Sequence, residues 1–153
     1  MNYITFNSIQ TKKMGRKIAQ EILKRPLDKK AIVIGLIGDL GGGKTTFLQG
    51  FAKGLRIKNK ILSPTFVLMK KFKIRENSHS NSYKFATFYH LDCYRIKKPK
   101  EILGIGFEEI IKNPHNIVVI EWADRIKKIL PKESLIIRFK FINQNTRKIL
   151  FNP

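Results

Sequence analysis

The stretch Ala31-Ile-Val-Ile-Gly-Leu-Ile-Gly-Asp-Leu-Gly-Gly-Gly-Lys-Thr-Thr46 decides the fold. Its first seven residues form a short apolar run that predicts a buried strand. Residues 38–45 match the phosphate-loop pattern G-x-x-x-x-G-K-[ST] in full. Apolar residues then recur at helical spacing, at Phe47, Leu48, Phe51 and Leu55. A strand, a glycine-rich turn and a helix in this order predict an α/β domain that binds a nucleotide.

The chemistry of phosphate binding explains each part of this loop. Glycines let the backbone adopt positive φ and approach an anion, while successive N–H groups and the helix N-terminus point at it. The side chain of Lys44 is expected to reach the β- and γ-phosphates, and the hydroxyl of Thr45 to ligate Mg²⁺. The glycines concerned are Gly38, Gly41, Gly42 and Gly43. The sequence therefore predicts binding of a nucleoside triphosphate together with Mg²⁺.

Composition sets broad limits on the class of protein. The chain has 153 residues and is expected to form a single domain over 1–153. It has one cysteine, Cys93, no apolar run of membrane-spanning length, and no signal-like segment at Met1–Ser8. These features favour a cytoplasmic protein with no membrane partner. The formal net charge of +20 fits either a solvated basic surface or an RNA-binding groove, because charge alone localises no site.

Periodicity and turn residues predict a mixed sheet with helices on both faces and with antiparallel hairpin strands, in the P-loop NTPase-like three-layer α/β/α class. We predict an edge strand over Asn2–Phe6 and a helix from an N-cap at Ser8 or Thr11 to about Leu23. Two further pieces, Thr65–Ile74 and Tyr83–Asp92, are expected to form a hairpin. The remaining predictions are two short helices within Pro99–Lys112, a strand over Ile117–Ile120, a helix over Ala123–Leu130, and a strand pair over Leu135–Ile142 and Arg147–Phe151.

A magnesium site needs a carboxylate beside the phosphate loop, and two candidates follow apolar strands. Asp92 comes after Phe88–Leu91, and Glu121 comes directly after Ile117–Ile120. Ligands of α/β folds bind beyond the carboxyl ends of strands, which favours a metal role over a salt bridge to one of the many lysines. We expect Trp122 to point away from Glu121 if the strand extends that far.

Two other segments carry polar groups that suit a nucleotide site. Ser63-Pro-Thr-Phe66 follows the phosphate-loop helix, where a hydroxyl could sense the γ-phosphate, although the same residues fit a simple turn. In His90–Arg95, the histidine is expected to form a structural hydrogen bond. Arg95 could stabilise γ-phosphate charge or pair with an acid.

Taken in order, these motifs resemble the bacterial TsaE family, formerly called YjeE. The matching segments are Gly38–Thr46, Ser63–Phe66, His90-x-Asp92-x-Tyr94-Arg95 and Ile120-Glu-Trp122. Members of that family are small P-loop ATPases needed to make threonylcarbamoyladenosine beside the anticodon of certain tRNAs. The resemblance implies an ATPase that is slow alone and acts with TsaD and TsaB. It meets tRNA indirectly, through that complex, and has no DNA partner.

The resemblance also implies roles for particular residues. Gly41 to Thr46 would bind the phosphates of ATP/ADP, with Thr45 and Glu121 on Mg²⁺. Thr65 and Asp92 would lie close to the γ-phosphate or the metal. The region from Ser8 to Thr11 would pass near the adenine, and Trp122 would sit beside the site. Within the catalytic set, Lys44 and Mg²⁺ would offset developing charge while Asp92 or Thr65 orients water.

Other functions compete with this reading. The sequence lacks an N-K-x-D motif, so guanine recognition by the usual GTPase route is unsupported. A small-molecule kinase would use Asp92 as base for an acceptor hydroxyl, and no second-substrate segment is evident. A nucleotide-regulated RNA-binding module would use the basic surface itself.

Overall fold

The computed structural model describes residues 1–62, 67–74 and 84–152. Its α-helices are α1 (Ser8–Lys24), α2 (Lys44–Gly54) and α3 (Phe107–Lys112). Its strands are β1 (Asn2–Thr5), β2 (Ile32–Gly38), β3 (Met69–Lys73), β4 (Thr87–Asp92), β5 (Asn116–Glu121), β6 (Leu135–Phe141) and β7 (Arg147–Asn152). Two 3₁₀ segments span Pro99–Ile105 and Ala123–Ile126. The segment Ser63–Phe66, in which a hydroxyl could sense the γ-phosphate, lies outside the described residues, and so does most of the connection between the two predicted hairpin strands.

The strands form one sheet in the order β1-β7-β6-β2-β5-β4-β3. The four central strands, β6, β2, β5 and β4, run parallel, while β3 at one end and β7 and β1 at the other are antiparallel to their neighbours. The two predicted antiparallel pairs, β3 with β4 and β6 with β7, are confirmed. Because the central strands are parallel, their carboxyl ends meet at one edge, which is where an α/β sheet binds its ligands.

Helical segments cover both faces of the sheet, which confirms the three-layer α/β/α prediction. On one face, α1 and α2 pack against the sheet around Phe47 and Phe51. On the other face, α3 and the 3₁₀ segments pack around Ile102 and Phe107. The central strand β5 explains why an apolar run in the sequence predicted a buried strand. All its residues are buried, and successive side chains enter opposite clusters, so the strand appears as a continuous apolar run.

Two predicted helix boundaries were wrong. Helix α1 is capped by Asn7, which precedes both predicted candidates, Ser8 and Thr11, because the Asn7 side chain accepts a 2.9 Å hydrogen bond from the N–H of Gln10. The predicted helix over Ala123–Leu130 is only a 3₁₀ turn over Ala123–Ile126. Beyond that turn the chain continues with hydrogen bonds between residues three apart, and Pro131 disfavours the helical conformation for the residue before it.

Glycines bring α1 and α2 into close contact. A Cβ built on Gly15 would overlap the carbonyl oxygen of Phe47, and one built on Gly50 would overlap the carbonyl oxygen of Lys12. Each helix therefore presents a residue without a side chain to the backbone of the other. This approach seats α2 against the sheet, with its N-terminus at the edge where the parallel strands end. No helix in the described part of the chain is both long and apolar enough to span a membrane.

We expect Gly50→Ala to lower the free energy of unfolding by about 2 kcal/mol, although alanine favours helices by about 1 kcal/mol. The added methyl group meets backbone rather than a movable side chain, so the two helices must separate. Urea denaturation measures the effect. Gly104→Ala is the matched control, because a Cβ there meets nothing within 4 Å and should leave stability nearly unchanged. Equal stability of the two variants would contradict the close helix contact.

Candidate nucleotide-binding site

The loop between β2 and α2 has a backbone that is open to an anion. Gly41 and Gly43 have positive φ, 72° and 99°, and the N–H of Gly42 donates to the carbonyl of Asp39 at 3.0 Å, closing a turn. Gly43 is the N-cap of α2, so no side chain caps this helix, and its first turn has no acidic residue. Among the described residues, no side chain accepts from the first N–H groups of α2, which is the arrangement that binds phosphate at a helix N-terminus.

A pocket of about 870 Å³ lies over this loop. The predicted site residues that line it are Ser8, Thr11, Gly41, Gly42, Gly43, Lys44, Thr45, Thr46, Asp92, Glu121 and Trp122. Gly38 ends β2 beneath the loop, and Thr65 falls outside the described residues. The fold thus gathers around one space residues that lie more than a hundred positions apart in the sequence.

Lys44 is a buried cation held by the loop itself. Its side chain is only 5% exposed, and Nζ donates to the carbonyls of Gly38 at 2.5 Å and Asp39 at 2.8 Å. The same ammonium lies 3.9 Å from the centre of the Trp122 ring. Burial lowers the pKa of Lys44, and nearby carboxylates, Glu121 first among them, oppose that shift. A phosphate oxygen would be a stronger acceptor for this ammonium than the two neutral carbonyls.

Glu121 connects three elements at the carboxyl edge of the sheet. It ends β5, is 2% exposed, and its Oε2 accepts a 2.9 Å hydrogen bond from the hydroxyl of Thr45 on α2. Its Oε1 lies 2.9 Å from Nε2 of the fully buried His90 on β4. Within the described residues, His90 Nδ1 has no hydrogen-bond partner. We therefore place the imidazole proton on Nε2, where it can donate to Glu121, because an unpaired buried N–H costs more than an unpaired lone pair.

The second predicted carboxylate lies beside the first. Asp92 and Glu121 are register partners at the ends of the parallel strands β4 and β5. One oxygen of Asp92 accepts a 2.9 Å hydrogen bond from the N–H of Tyr94. The described residues include no group of three or more His, Cys, Asp or Glu that could hold a metal by themselves. The two adjacent carboxylates suit Mg²⁺, which usually takes one or two carboxylates and completes its shell with substrate phosphates and water.

The condition under which Trp122 was expected to point away from Glu121 is not met, because β5 ends at Glu121. Trp122 has a left-handed backbone with φ of 58°, and this turn brings its ring over Lys44 in the pocket that Glu121 also lines. The ring also packs against Tyr94, with centroids 5.1 Å apart. Residue alternation could not predict this placement, because alternation holds only while the strand continues.

Several residues that line the pocket were not predicted from the sequence, and Arg147 is the most important of them. Its Nε donates to the carbonyl of Gly41 at 2.9 Å, across 106 positions of sequence. Asn7, Gln144 and Asn145 also line the pocket. Arg147 opens a predicted strand after a polar turn, and no local pattern links such a residue to a distant loop. Pairing of β6 with β7 brings it there.

Comparisons with known proteins cover most of the chain. Residues 6–149 match the family model described as Threonylcarbamoyl adenosine biosynthesis protein TsaE. The tRNA threonylcarbamoyladenosine biosynthesis protein TsaE of Rickettsia felis is 36% identical over 142 residues, 92% of this chain and 73% of that protein. The Bacillus subtilis protein of the same name is 33% identical over 151 residues, 99% of this chain and 84% of that protein. The crystal structure of Bacillus subtilis YdiB gives a TM-score of 0.68 at 30% identity, covering 99% of this chain and 83% of that one.

Cys93 directly follows the site residue Asp92, and we predict that its thiol reacts very slowly with thiol reagents in the folded protein. It is fully buried, and burial, with a contribution from Asp92, raises the pKa of its thiol to about 12. At pH 8 the native protein should therefore react with a thiol reagent at least about a hundredfold more slowly than the chain unfolded in guanidinium, because the thiolate is the nucleophile. The Cys93→Ser variant has no thiol and therefore gives the background signal of the labelling assay. Rapid labelling of the native protein would contradict the burial of this thiol.

Proposed function

Since this chain belongs to the TsaE family of threonylcarbamoyl adenosine biosynthesis proteins, we propose that it is the ATP-binding and ATP-hydrolysing subunit of the machinery that modifies tRNA. Its partners in this proposal are TsaD, which transfers the threonylcarbamoyl group to tRNA, and TsaB. One observation carries the proposal: the uncapped N-terminus of α2, the Lys44 ammonium and the Thr45–Glu121 pair all face one pocket.

Phosphate recognition follows from the loop and its lysine. The N–H groups at the N-terminus of α2 provide donors and a favourable helix dipole for the β- and γ-phosphates. Lys44 exchanges the carbonyls of Gly38 and Asp39 for phosphate oxygens when ATP enters. Ser8 and Thr11 lie in the pocket wall formed by α1, which leaves that side for the adenine. The hydroxyl of Thr11 is hydrogen-bonded to Thr5, so it shapes the wall.

The metal role falls to the residues at the carboxyl edge of the sheet. The Thr45 hydroxyl and the carboxylates of Glu121 and Asp92 would hold Mg²⁺ or its waters. When bound, Mg²⁺ supplies positive charge that offsets the charge developing on the transferred phosphoryl group. His90 fixes the Glu121 carboxylate from behind, so that its second oxygen stays with Thr45. Asp92, at the neighbouring strand end, is the proposed group that orients the attacking water.

Slow turnover by the isolated chain is part of this proposal. Glu101, another acid in the pocket wall, is committed to capping the N–H groups of Lys97 and Lys98. Glu121 is shared between Thr45 and His90. Asp92, the third acid of the described pocket wall, also accepts a hydrogen bond from the N–H of Tyr94. A partner that supplies order or a further group would accelerate the reaction.

The first test is hydrolysis of Mg²⁺-ATP by the purified chain, with and without the matching TsaD–TsaB pair. We expect slow turnover alone and strong stimulation by the pair. Lys44→Ala should lower turnover by on the order of 100-fold, because it removes the cation that faces the phosphates. Lys53→Ala, at the exposed end of the same helix, is the control and should behave as the wild type.

The other outcomes of this experiment separate the alternatives. Unchanged ATP affinity and turnover in Lys44→Ala would contradict the assignment of residues 38–45 as a phosphate-binding loop. ATP binding without stimulation by the pair would instead favour a kinase or an RNA-binding module, and a search for a phosphate acceptor would follow.

We expect Glu121→Ala to raise the Mg²⁺ concentration needed for half-maximal turnover by about tenfold or more. Its affinity for ADP measured in EDTA should change by less than about threefold, because the phosphate donors are left in place. A Mg²⁺ titration of turnover and calorimetry of ADP binding give the two quantities. Glu108→Ala, an exposed acid on α3, serves as the matched control. A Mg²⁺ titration identical to that of the wild type would refute the assignment.

A further inference from the structure

We propose that Arg147 is a positioning residue of the nucleotide site, which fixes the phosphate-binding loop by holding the carbonyl of Gly41. The inference rests on the proposed function, because it assigns a role toward the same phosphate group. It concerns a residue that contributes no metal ligand and no helix-terminal donor. Its basis is the contact between the first residue of β7 and the middle of the loop.

The guanidinium of Arg147 is held in one orientation by several contacts. Nε donates to the carbonyl of Gly41 at 2.9 Å. Nη1 donates to three carbonyls of the turn before β7, those of Asn143 at 2.6 Å, Gln144 at 3.3 Å and Thr146 at 3.0 Å. The planar group also lies 4.7 Å from the centre of the Phe141 ring. A fork with donors at fixed angles can join two backbone segments in this way, whereas a single ammonium cannot.

Gly41 needs such a support more than its neighbours do. It has a left-handed backbone, and a Cβ built on it would meet nothing within 4 Å, so no described neighbour packs against that side of its Cα. A carbonyl oxygen that turned toward a phosphate would repel it, so the carbonyl of Gly41 needs a donor of its own. Arg147 Nε donates the hydrogen bond that holds this carbonyl. The arginine stem also lies against Gly43, with Cγ 3.4 Å from the position of a Cβ there.

Arg147 differs from Lys44 in what happens when a phosphate arrives. Both cations bond to loop carbonyls, Lys44 to those of Gly38 and Asp39. Lys44 must release them in order to reach a phosphate oxygen. Arg147 bonds Gly41 from the side of the β6–β7 turn and can keep its bond, so it is the cation that holds the loop while Lys44 exchanges partners. The β6–β7 ladder, in which Arg147 pairs with Phe141, supplies the rigid support.

The experiment compares Arg147→Ala and Arg147→Lys with the wild type and with Arg138→Ala, an exposed arginine on the other strand of the same hairpin. Calorimetry measures the affinity for ADP and for pyrophosphate, and steady-state kinetics measure KM and kcat for Mg²⁺-ATP. We expect both Arg147 variants to bind ADP and pyrophosphate about tenfold more weakly, with a matching rise in KM. The kcat should stay within about threefold of the wild type, and Arg138→Ala should change neither quantity.

The lysine variant and the melting temperature separate this role from simpler ones. Full recovery of ADP affinity in Arg147→Lys would overturn the proposal, since charge alone would then account for the effect. So would affinity within twofold of wild type in Arg147→Ala, or a loss accompanied by partial unfolding at the assay temperature. A wild-type chain that binds neither ADP nor pyrophosphate would overturn the proposed function as well, whereas the other results overturn only the role of Arg147.

Discussion

The site depends on one feature, the N–H donors at the N-terminus of α2 that no described side chain caps. A helix leaves its first N–H groups without intrahelical acceptors, and most helices satisfy one of them with a side chain at the N-cap. Helix α1 does so with Asn7, whereas α2 begins at Gly43 without any side-chain cap. The same glycine permits the left-handed turn that aims the N–H groups outward. An anion would therefore be a favourable partner for this helix N-terminus, and the surrounding residues are arranged about the space where it would lie.

The buried carboxylate of Glu121 ties that space to the rest of the sheet. A charge that is 2% exposed is costly unless it is hydrogen-bonded. Thr45 and His90 meet this requirement from α2 and β4, so the two elements on either side of the site are fixed relative to β5. The Gly15 and Gly50 contacts set the position of α2 from the opposite side. The site is thus held between a polar connection at the edge of the sheet and a steric one at the helix pair.

The sequence predicted those parts of the molecule whose signals are local. The phosphate loop, the buried strand β5 and the two hairpins all follow from spacing, turn residues or apolar runs. The order of the short motifs along the chain indicated the family. The contact of Arg147 with Gly41 could not be predicted, because it exists only once β6 and β7 pair and their turn meets the loop. The family resemblance placed Trp122 beside the site, but strand alternation could not, because β5 ends at Glu121 and the backbone then turns left-handed. Asn7 and Ser8 are adjacent and both suit an N-cap, so the sequence alone did not decide which of them caps α1.

Acidic residues are concentrated around the site, although the chain as a whole is strongly basic. With a net charge of +20 and only 11 acidic residues, most of the surface is basic. Yet four carboxylates, those of Glu121, Asp39, Asp124 and Asp92, all act to raise the pKa of Lys44 against the effect of burial. An uncharged amine could not attract a phosphate, so these acids preserve the property that makes the lysine useful in a buried position. Two of them also lie at the strand ends that suit a divalent cation, which would in turn offset their own charge when the nucleotide is bound. The abundance of lysine along the chain does not by itself explain why four of the 11 acidic residues act on Lys44, the one buried lysine among the described residues.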